Sequence, residues 1–534
     1  MNTAAPRENS RQGGVSGLLV VAVLWVASVM LVRPFGAFPL FDDWVYAWGA
    51  KRLAQQGVLD LPEWSSVYPL FQIAYGALWV RLLGNGEWVL RLATVALALA
   101  GNLAWYAMLR RVGMSARAAA CCVALVVFHP IYYLLALSFM TDVHLVALWQ
   151  IALYCALRWS EKLEPGWLVA ATLVVLASAF VRQTGAALLV GLLAVAWPID
   201  DRRQRFVPLI AIAAVLLGVV VFGRDVGGGL PMTSRLADLM STVTVSPQLY
   251  LDGLVAVVAF LGLSLAPAAV IAGRIDDRAA VAAAAVLLGA WIIDTTPVLR
   301  DGTMWGACEL GGARSLLSGA PGGCMWQTPV RLVALAGAAI GLGGAWGWLG
   351  DLLSSGRLYR SIYDEGDDGE AEATWRFTHV VIVGFAAVAI GMTALWLFAD
   401  RYWLAPAVLA PTLLLRGGIL QPRAGAAAFA LMALVAVVGT RGVFSFYREA
   451  NSICDELVAA GRSASELDAG YCINAERRYL RLPPALSGEG RNAGIGWVTG
   501  IEAGRWTVAN GVEPGWQLLR ECGELVVTTR APRR

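Results

Sequence analysis

Two adjacent carboxylates, Asp42 and Asp43, stand in the segment FPLFDDWVYAW, shortly after the first long apolar stretch of the chain. A carboxylate held beside a hydroxyl group can act as a general base, and one beside a sugar can stabilise an oxocarbenium-like transition state. Helix capping alone is the alternative. It explains one acid better than two, because adjacent like charges repel. We therefore predict a site at this pair.

A third acid, Asp142, lies in the segment SFMTDVHLVALW, with His144 two residues later. Asp142 opens a predicted helix, so it is either an N-cap or a donor-site or metal-site residue. An ionisable group at the membrane surface is costly and tends to be functional. For His144, a hydrogen-bonded histidine is favoured over a metal ligand.

Four cations accompany these acids, and an arginine fork matches the oxygens of a phosphate group. Arg182 stands in FVRQTG and Arg401 in ADRYWLAP, while Lys51 and Arg52 lie on a predicted helix after the acid pair. They are candidate phosphate-binding residues. Anchoring to lipid headgroups is the alternative for the two arginines in apolar surroundings.

The composition predicts that these residues are positioned by a membrane protein. Hydrophobic residues make up 58% of the 534 residues and charged residues 15%, whereas soluble domains carry roughly 25% charged residues. About thirteen apolar stretches are long enough to be spans. They lie near residues 15–33, 87–109, 116–137, 143–159, 166–181, 184–198, 205–223, 249–273, 279–294, 328–350, 378–398, 402–416 and 424–441.

The placement of Lys and Arg predicts which loops face outward, because basic loops stay in the cytoplasm. With the N-terminus inside, alternate loops are short and basic, and segments 34–86, 224–248 and 295–327 face the exterior. The expected fold class is an all-α polytopic protein of the bacterial inner membrane. Residues 1–441 would form its transmembrane domain, with an acidic cytoplasmic loop at 351–376. Residues 442–534 would form a small exterior α/β domain.

The first exterior loop, residues 34–86, is predicted to contain two amphipathic helices. One covers 42–57, opening on an Asp and ending at Gly57; the other lies in SSVYPLFQIAYGALWVRLLG, with Pro69 near its start. Helices of this kind lie in the headgroup plane. Together they would hold the acid pair near the boundary between lipid and water.

The cysteines indicate a disulfide and not a metal cluster. Of the eight, Cys121, Cys122 and Cys155 fall in predicted spans, and the other five fall outside the membrane. An oxidising exterior permits a Cys308–Cys324 disulfide, and no Cys/His metal spacing appears. The net charge of +3 does not favour a nucleic-acid partner.

Exterior acids and arginines at headgroup level suit the transfer of a sugar from a polyprenyl-phosphate donor. The leaving phosphate needs cations or a divalent metal ion, and the acceptor hydroxyl needs a carboxylate base. The sequence has no GxxxxGK[ST] loop, which removes support for nucleotide-driven transport.

The same motifs resemble the GT-C glycosyltransferases, specifically bacterial relatives of the protein O-mannosyltransferases and of the lipid A aminoarabinose transferase. The shared segments are FDDWVYAWGAKRLAQQG, SFMTDV, FVRQTG and DRYWLAP, and LDAGYCINAERRY resembles a segment of bacterial members. The resemblance implies an inverting hexosyl or pentosyl transferase, metal-assisted or metal-independent. It implies a base role for Asp42 or Asp43, a donor-site or metal-site role for Asp142, and phosphate contact for Arg401. Helix geometry favours Asp43 as the base.

Two other classes remain open at this point. A transporter or flippase of a lipid-linked or polar solute would place charges deep in its spans and break helices at matching places. An envelope scaffold would not need the acids. The acceptor is an unidentified protein, lipid or glycan of the envelope.

Overall fold

The computed structural model describes residues 7–40, 43–61, 69–189, 210, 247–292, 327–354, 403–415, 420–461, 516–522 and 525–530. This part of the chain is mostly helical, as predicted, and several of its helices are apolar. The predicted span 378–398, and all of the predicted span 205–223 except residue 210, lie outside the described residues.

The helices follow one another along the chain, and the described strands come after them. The helices are α1 (Arg7–Val32), α2 (Asp43–Gln56), α3 (Leu70–Leu83), α4 (Glu87–Arg111), α5 (Ala116–Val127), α6 (Pro130–Ala136), α7 (Thr141–Lys162), α8 (Pro165–Ala179), α9 (Pro247–Ala272), α10 (Asp277–Ile292), α11 (Gln327–Ser354), α12 (Leu404–Leu409), α13 (Pro411–Leu415) and α14 (Pro422–Ala459). A 3-10 helix covers Gln183–Ala187, and the strands are β1 (Trp516–Cys522) and β2 (Leu525–Arg530).

Both helices predicted in the first exterior loop are confirmed. Helix α2 begins at Asp43 and ends before Gly57, whose φ of 70° is a backbone conformation that glycine adopts without strain. Helix α3 begins directly after Pro69. Half of α2 is buried in the protein, so this loop is packed structure and not a simple connector.

Within the described residues, three helical segments are long and apolar enough to cross a bilayer: Glu87–Arg111, Leu332–Gly350 and Arg423–Ser445. Helices α5 and α6 pass the same test together but are bent by 68°. Shorter apolar helices fill other predicted spans, such as Pro165–Ala179. The structure thus supports a multi-pass membrane protein, and the number thirteen stays a prediction.

The bend between α5 and α6 divides the span predicted at 116–137. His129 has extended backbone angles and Pro130 is the first residue of α6. Proline lacks an N–H and disfavours helical angles in the residue before it, so a helix stops there and restarts.

Helix α14 continues through the predicted domain boundary at 441–442 as far as Ala459. Farther on, β1 and β2 pair as an antiparallel hairpin, and β2 coincides with the strand-like run ELVVTT. The remainder of 442–534 lies outside the described residues, so the exterior α/β domain stays a prediction.

Helices α4 and α7 pack closely against each other. A Cβ atom on Gly101 of α4 would lie 2.6 Å from the Cα atom of Ala147 of α7, so only glycine allows this approach. Close by, Gln150 donates to Asn102 (3.2 Å), which donates to Tyr132 (3.0 Å). Small residues and side-chain hydrogen bonds of this kind join helices in membranes.

Candidate functional site

Asp43 is the first residue of α2, and its carboxylate is buried, with 2% of the residue exposed. Its Oδ1 accepts a hydrogen bond from the backbone N–H of Leu40 at 2.7 Å, and its Oδ2 accepts one from Phe139 at 3.5 Å. Leu40 precedes α2, whereas Phe139 lies just before α7. Asp43 therefore joins the first exterior loop to the SFMTD segment.

Burial raises the pKa of Asp43 from 3.8 to about 8 because an ionised carboxyl loses its hydration there. The charge of Glu87 adds to this increase, while the charge of Arg91 and the two backbone hydrogen bonds act against it. A carboxyl group with a pKa near neutrality can both accept and release a proton, which is the property required of a general base.

The turn at Phe139 gathers three elements around Asp43. Its carbonyl oxygen accepts a hydrogen bond from Gln72 Nε2 of α3 at 2.7 Å, and Gln72 is fully buried. A Cβ atom on Gly76 would lie 2.5 Å from the Phe139 ring, so α3 presses against this turn. Helices α2 and α3 thus both contact the backbone of Phe139, just before α7.

Asp142 forms a buried ion pair with Arg182. Arg182 Nη1 lies 2.6 Å from Asp142 Oδ1 and 3.1 Å from Thr141 Oγ1. The second carboxylate oxygen, Oδ2, has no hydrogen-bond partner among the residues that the structure describes. Arg182 follows α8 and precedes the 3-10 helix. This is the predicted break in the apolar run at 166–198.

The described residues do not form a metal site around Asp142 and His144. His144 donates from Nδ1 to the carbonyl oxygen of Met140 (3.0 Å), and its ring packs edge-on against Phe139 and Tyr75. No group of three His, Cys, Asp or Glu side chains that could hold a metal occurs in the described part of the chain. The metal role of Asp142 and His144 stays a prediction.

The two loop cations predicted to bind phosphate are each paired with a carboxylate. Lys51 forms an ion pair with Glu87 of α4. Arg52 Nη1 lies 2.6 Å from Asp60 Oδ2, and its guanidinium lies 5.0 Å from the centre of the Trp48 ring. A phosphate would have to compete with these acids, so the assigned role of Lys51 and Arg52 stays a prediction.

Four of the predicted site residues lie outside the described residues: Asp42, Arg401, Cys308 and Cys324. Trp403, two residues after Arg401, is buried. Helix α12, which follows it, packs against α7.

Sequence reasoning missed Arg91, which it placed inside a predicted span. Arg91 is buried in α4 and donates to backbone carbonyl oxygens of the segment before α2. The available signal was an arginine within an apolar run, four residues after Glu87. Ionisable residues within membrane spans are rare and often belong to functional sites.

Comparison with known proteins gives one family match. Residues 69–223 match the family model described as dolichyl-phosphate-mannose-protein mannosyltransferase. The match includes Gln72, Phe139, Asp142 and Arg182, and Asp43 precedes it. The match covers less than half of the chain and agrees with the predicted resemblance to the protein O-mannosyltransferases. No match is found among curated proteins.

Two solved structures with similarity are both ArnT from Cupriavidus metallidurans. The apo structure is 16% identical, with 84% of this chain and 80% of that chain covered and a TM-score of 0.35. The structure bound to undecaprenyl phosphate is 15% identical, with coverage of 96% and 97% and a TM-score of 0.40. TM-scores this low do not by themselves establish a common fold.

Proposed function

We propose that this chain, whose residues 69–223 match a GT-C glycosyltransferase family, is an inverting transferase using a polyprenyl-phosphate-linked sugar. The acceptor would lie on the exterior face of the bacterial inner membrane. One observation carries the proposal: the buried Asp43 carboxylate, with a pKa raised to about 8, is bonded to Phe139 within the family-matched region. The donor class follows the description of the matched family, because dolichyl phosphate is a polyprenyl phosphate.

In the proposed reaction, Asp43 removes the proton of the acceptor hydroxyl as that oxygen attacks the anomeric carbon. The new carbon–oxygen bond forms while the bond from that carbon to the phosphate oxygen breaks. The products are the glycosylated acceptor, polyprenyl phosphate and protonated Asp43. A single displacement inverts the anomeric configuration. The N–H groups of Leu40 and Phe139 hold the carboxylate in place.

Arg401 and Arg182 are the proposed contacts of the leaving phosphate. Guanidinium groups stabilise the charge that grows on that phosphate as the bond breaks. Arg182 is held at the N-terminal end of α7 by Asp142 and Thr141, so a bound phosphate would share its guanidinium with Asp142. A cation fixed in advance does not need to reorganise during the reaction. Asp42 remains the second candidate for the base.

A transporter of a lipid-linked or polar solute is the second candidate function, and one observation favours it. The 68° break between α5 and α6 is the kind of discontinuous helix found at transporter binding sites. His129 at this break is buried and bonded to Ser264 of α9 at 3.1 Å. The other ring nitrogen of His129, Nδ1, is buried and has no hydrogen-bond partner among the described residues.

A donor assay separates the two functions. Purified protein is incubated with radiolabelled polyprenyl-phosphate sugars and an envelope extract as acceptor, and release of polyprenyl phosphate is measured. We expect turnover in wild type and a loss of about 10²-fold or more in Arg401→Ala. Arg81→Ala on the exposed face of α3 serves as the control.

The same preparation is reconstituted into vesicles to test for transport. Movement of the labelled donor across the vesicle membrane without any chemical turnover would contradict the transferase and support the transporter. Turnover without net movement supports the transferase.

A further inference from the structure

Arg91 holds the linker between α1 and α2 by its backbone. Its Nη1 donates to the carbonyl oxygens of Pro34 (2.6 Å) and Gly36 (3.3 Å), and its Nη2 donates to that of Phe38 (2.6 Å). Three carbonyl groups of one short segment thus share a single guanidinium. Charged donors make hydrogen bonds roughly twice as strong as neutral ones, so the path of residues 34–38 depends on this side chain.

Two aromatic rings fix the plane of the same guanidinium. The Cζ atom of Arg91 lies 4.7 Å from the centre of the Phe38 ring and 5.4 Å from that of Phe444 in α14. The two rings contact each other edge to face at 6.0 Å. A cation held over aromatic rings in this way is attracted by the ring faces, and more strongly when it is shielded from water. The orientation of Arg91 is therefore set by α4, the linker and α14 together.

Helix α14 adds a second arginine to the linker. Arg448 donates from Nη2 to the carbonyl oxygen of Arg33, and its Cζ atom lies 5.9 Å from the centre of the Phe38 ring. The segment from Arg33 to Phe38 is thus held at both ends by cations from distant helices. Asp43 follows this segment and accepts a hydrogen bond from the backbone N–H of Leu40, which lies two residues after Phe38.

Arg91 also acts on Asp43 through its charge. It is the largest favourable influence on the ionised carboxyl and opposes the effect of burial on the pKa of Asp43. The charged or titratable groups on the helices near Asp43 and its preceding segment include Lys51 and Arg52 on α2, Tyr75 and Arg81 on α3, Glu87 on α4, Asp142 and His144 on α7, and Arg448 on α14. Of these, Glu87 is the one that acts on Asp43, and it favours the protonated form.

We propose that Arg91 is a positioning residue for the transfer reaction. It fixes the segment from Arg33 to Phe38, which precedes Asp43, and it supplies the cation that favours ionised Asp43. This inference rests on the proposed function. Lysine at this position would keep the charge but would lose the planar fork that reaches three carbonyl groups. The two contributions, geometry and charge, are therefore separable by substitution.

The test compares Arg91→Lys, Arg91→Met and the control Arg81→Met. Arg81 is exposed on α3 and donates to the carbonyl oxygens of Leu53 and Ala54, away from Asp43. The first readout is the pH dependence of sugar transfer. The second is the pH dependence of the unfolding temperature, with Asp43→Asn as reference, and it requires no substrate.

We expect Arg91→Met to move the midpoint of both pH profiles upward by about one pH unit or more, because the favourable cation is gone. Arg91→Lys should keep the midpoint near that of wild type and lower kcat about tenfold or more through misplacement of the carboxylate. The Arg81 control should leave both profiles unchanged.

A folded Arg91→Met protein with wild-type midpoints in both readouts would overturn the inference. If that variant does not fold, a wild-type kcat in Arg91→Lys would overturn it. If wild type turns over no donor, the pH dependence of the unfolding temperature is the deciding readout. A shifted midpoint in Arg91→Met would then support the effect of Arg91 on Asp43, while the proposed transfer reaction would be contradicted.

Discussion

At the scale of single residues, the contribution of Asp43 to the stability of the folded protein depends on whether its buried carboxyl group is protonated. Its pKa rises from 3.8 to about 8 in the folded protein. Between these values the folded state binds one more proton than the unfolded state. The stability contributed by this group is therefore fully present below about pH 4 and is lost as the pH rises through about 8.

We predict that Asp43→Asn removes this loss of stability at high pH, because the asparagine side chain does not titrate. Its unfolding temperature relative to wild type should rise between pH 5 and pH 9, measured by tryptophan fluorescence in detergent. Asp60→Asn, at a half-exposed ion pair with Arg52, is the control and should show no such trend. A difference between Asp43→Asn and wild type that is constant with pH would contradict the assignment.

The buried pair of Asp142 and Arg182 gives a second prediction at this scale. Asp142→Asn leaves the Arg182 cation without its carboxylate, and breaking a buried pair costs about 3–5 kcal/mol of stability. The matched control is Glu161→Gln, which breaks the partly exposed pairs with Arg111 (2.9 Å) and Arg158 (3.6 Å) and should cost no more than about 1 kcal/mol. Thermal unfolding in detergent measures both. Equal losses would show that the Asp142 pair is solvated.

How far the site could be predicted from the sequence differs among these residues. The sequence indicates Asp43 and Asp142 as candidates, because adjacent acids and an acid beside an apolar stretch stand out against their surroundings. The contact of Asp43 with Phe139 was not visible, since nothing local to either residue specifies the other. Arg91 was not singled out, because one arginine changes the mean hydropathy of a long apolar stretch very little. Its spacing of four residues from Glu87 was the signal that the sequence offered.

At the scale of elements, helices α9 and α11 depend on glycine for their close approach. A Cβ atom on Gly341 of α11 would overlap the carbonyl oxygen of Gly262 of α9. Backbone atoms cannot move aside as a flexible side chain does. In lipid, such close backbone packing replaces the hydrophobic effect as the force that joins helices.

We predict that Gly341→Ala lowers stability by about 1–3 kcal/mol through overpacking. Gly350→Ala, in the same helix, has nothing within 4 Å of its added Cβ atom. This control should be neutral or stabilising by up to about 1 kcal/mol, because alanine is the better helix former. Unfolding temperatures in detergent measure both variants. An unchanged value for Gly341→Ala would show that α9 and α11 are not packed this closely.

Periodicity and hydropathy predicted the described helices well but not their breaks and extensions. The loop helices α2 and α3 were bounded by readable signals, namely an acid at the start, Gly57 at an end and Pro69. The bend at His129 was missed although Pro130 marks it. The extension of α14 to Ala459 was missed because its polar residues resemble an exterior domain, whereas the helix simply continues.

At the scale of the whole molecule, the orientation in the membrane is still a prediction from basic loops. Gln55 on α2 should face the exterior and Arg117 on α5 the cytoplasm. Both are exposed in the structure. The orientation decides whether Asp43 meets an exterior acceptor.

We predict opposite labelling of single cysteines at these two positions. In a chain whose eight native cysteines are replaced by serine, Gln55→Cys should react with an impermeant maleimide in intact spheroplasts. Arg117→Cys should react only after the membrane is permeabilised. Reaction of both, or the reverse pattern, would overturn the predicted orientation.

The most direct test of the central claim is single-turnover sugar transfer by the Asp43 variant. Asp43→Asn and the control Asp60→Asn are compared with wild type at pH 8, using a polyprenyl-phosphate donor bound in advance. Loss of a general base predicts a rate about 10²–10⁴-fold lower for Asp43→Asn, with donor binding kept and Asp60→Asn unaffected. A folded Asp43→Asn protein that transfers sugar at the wild-type rate would contradict the role of Asp43 as the base.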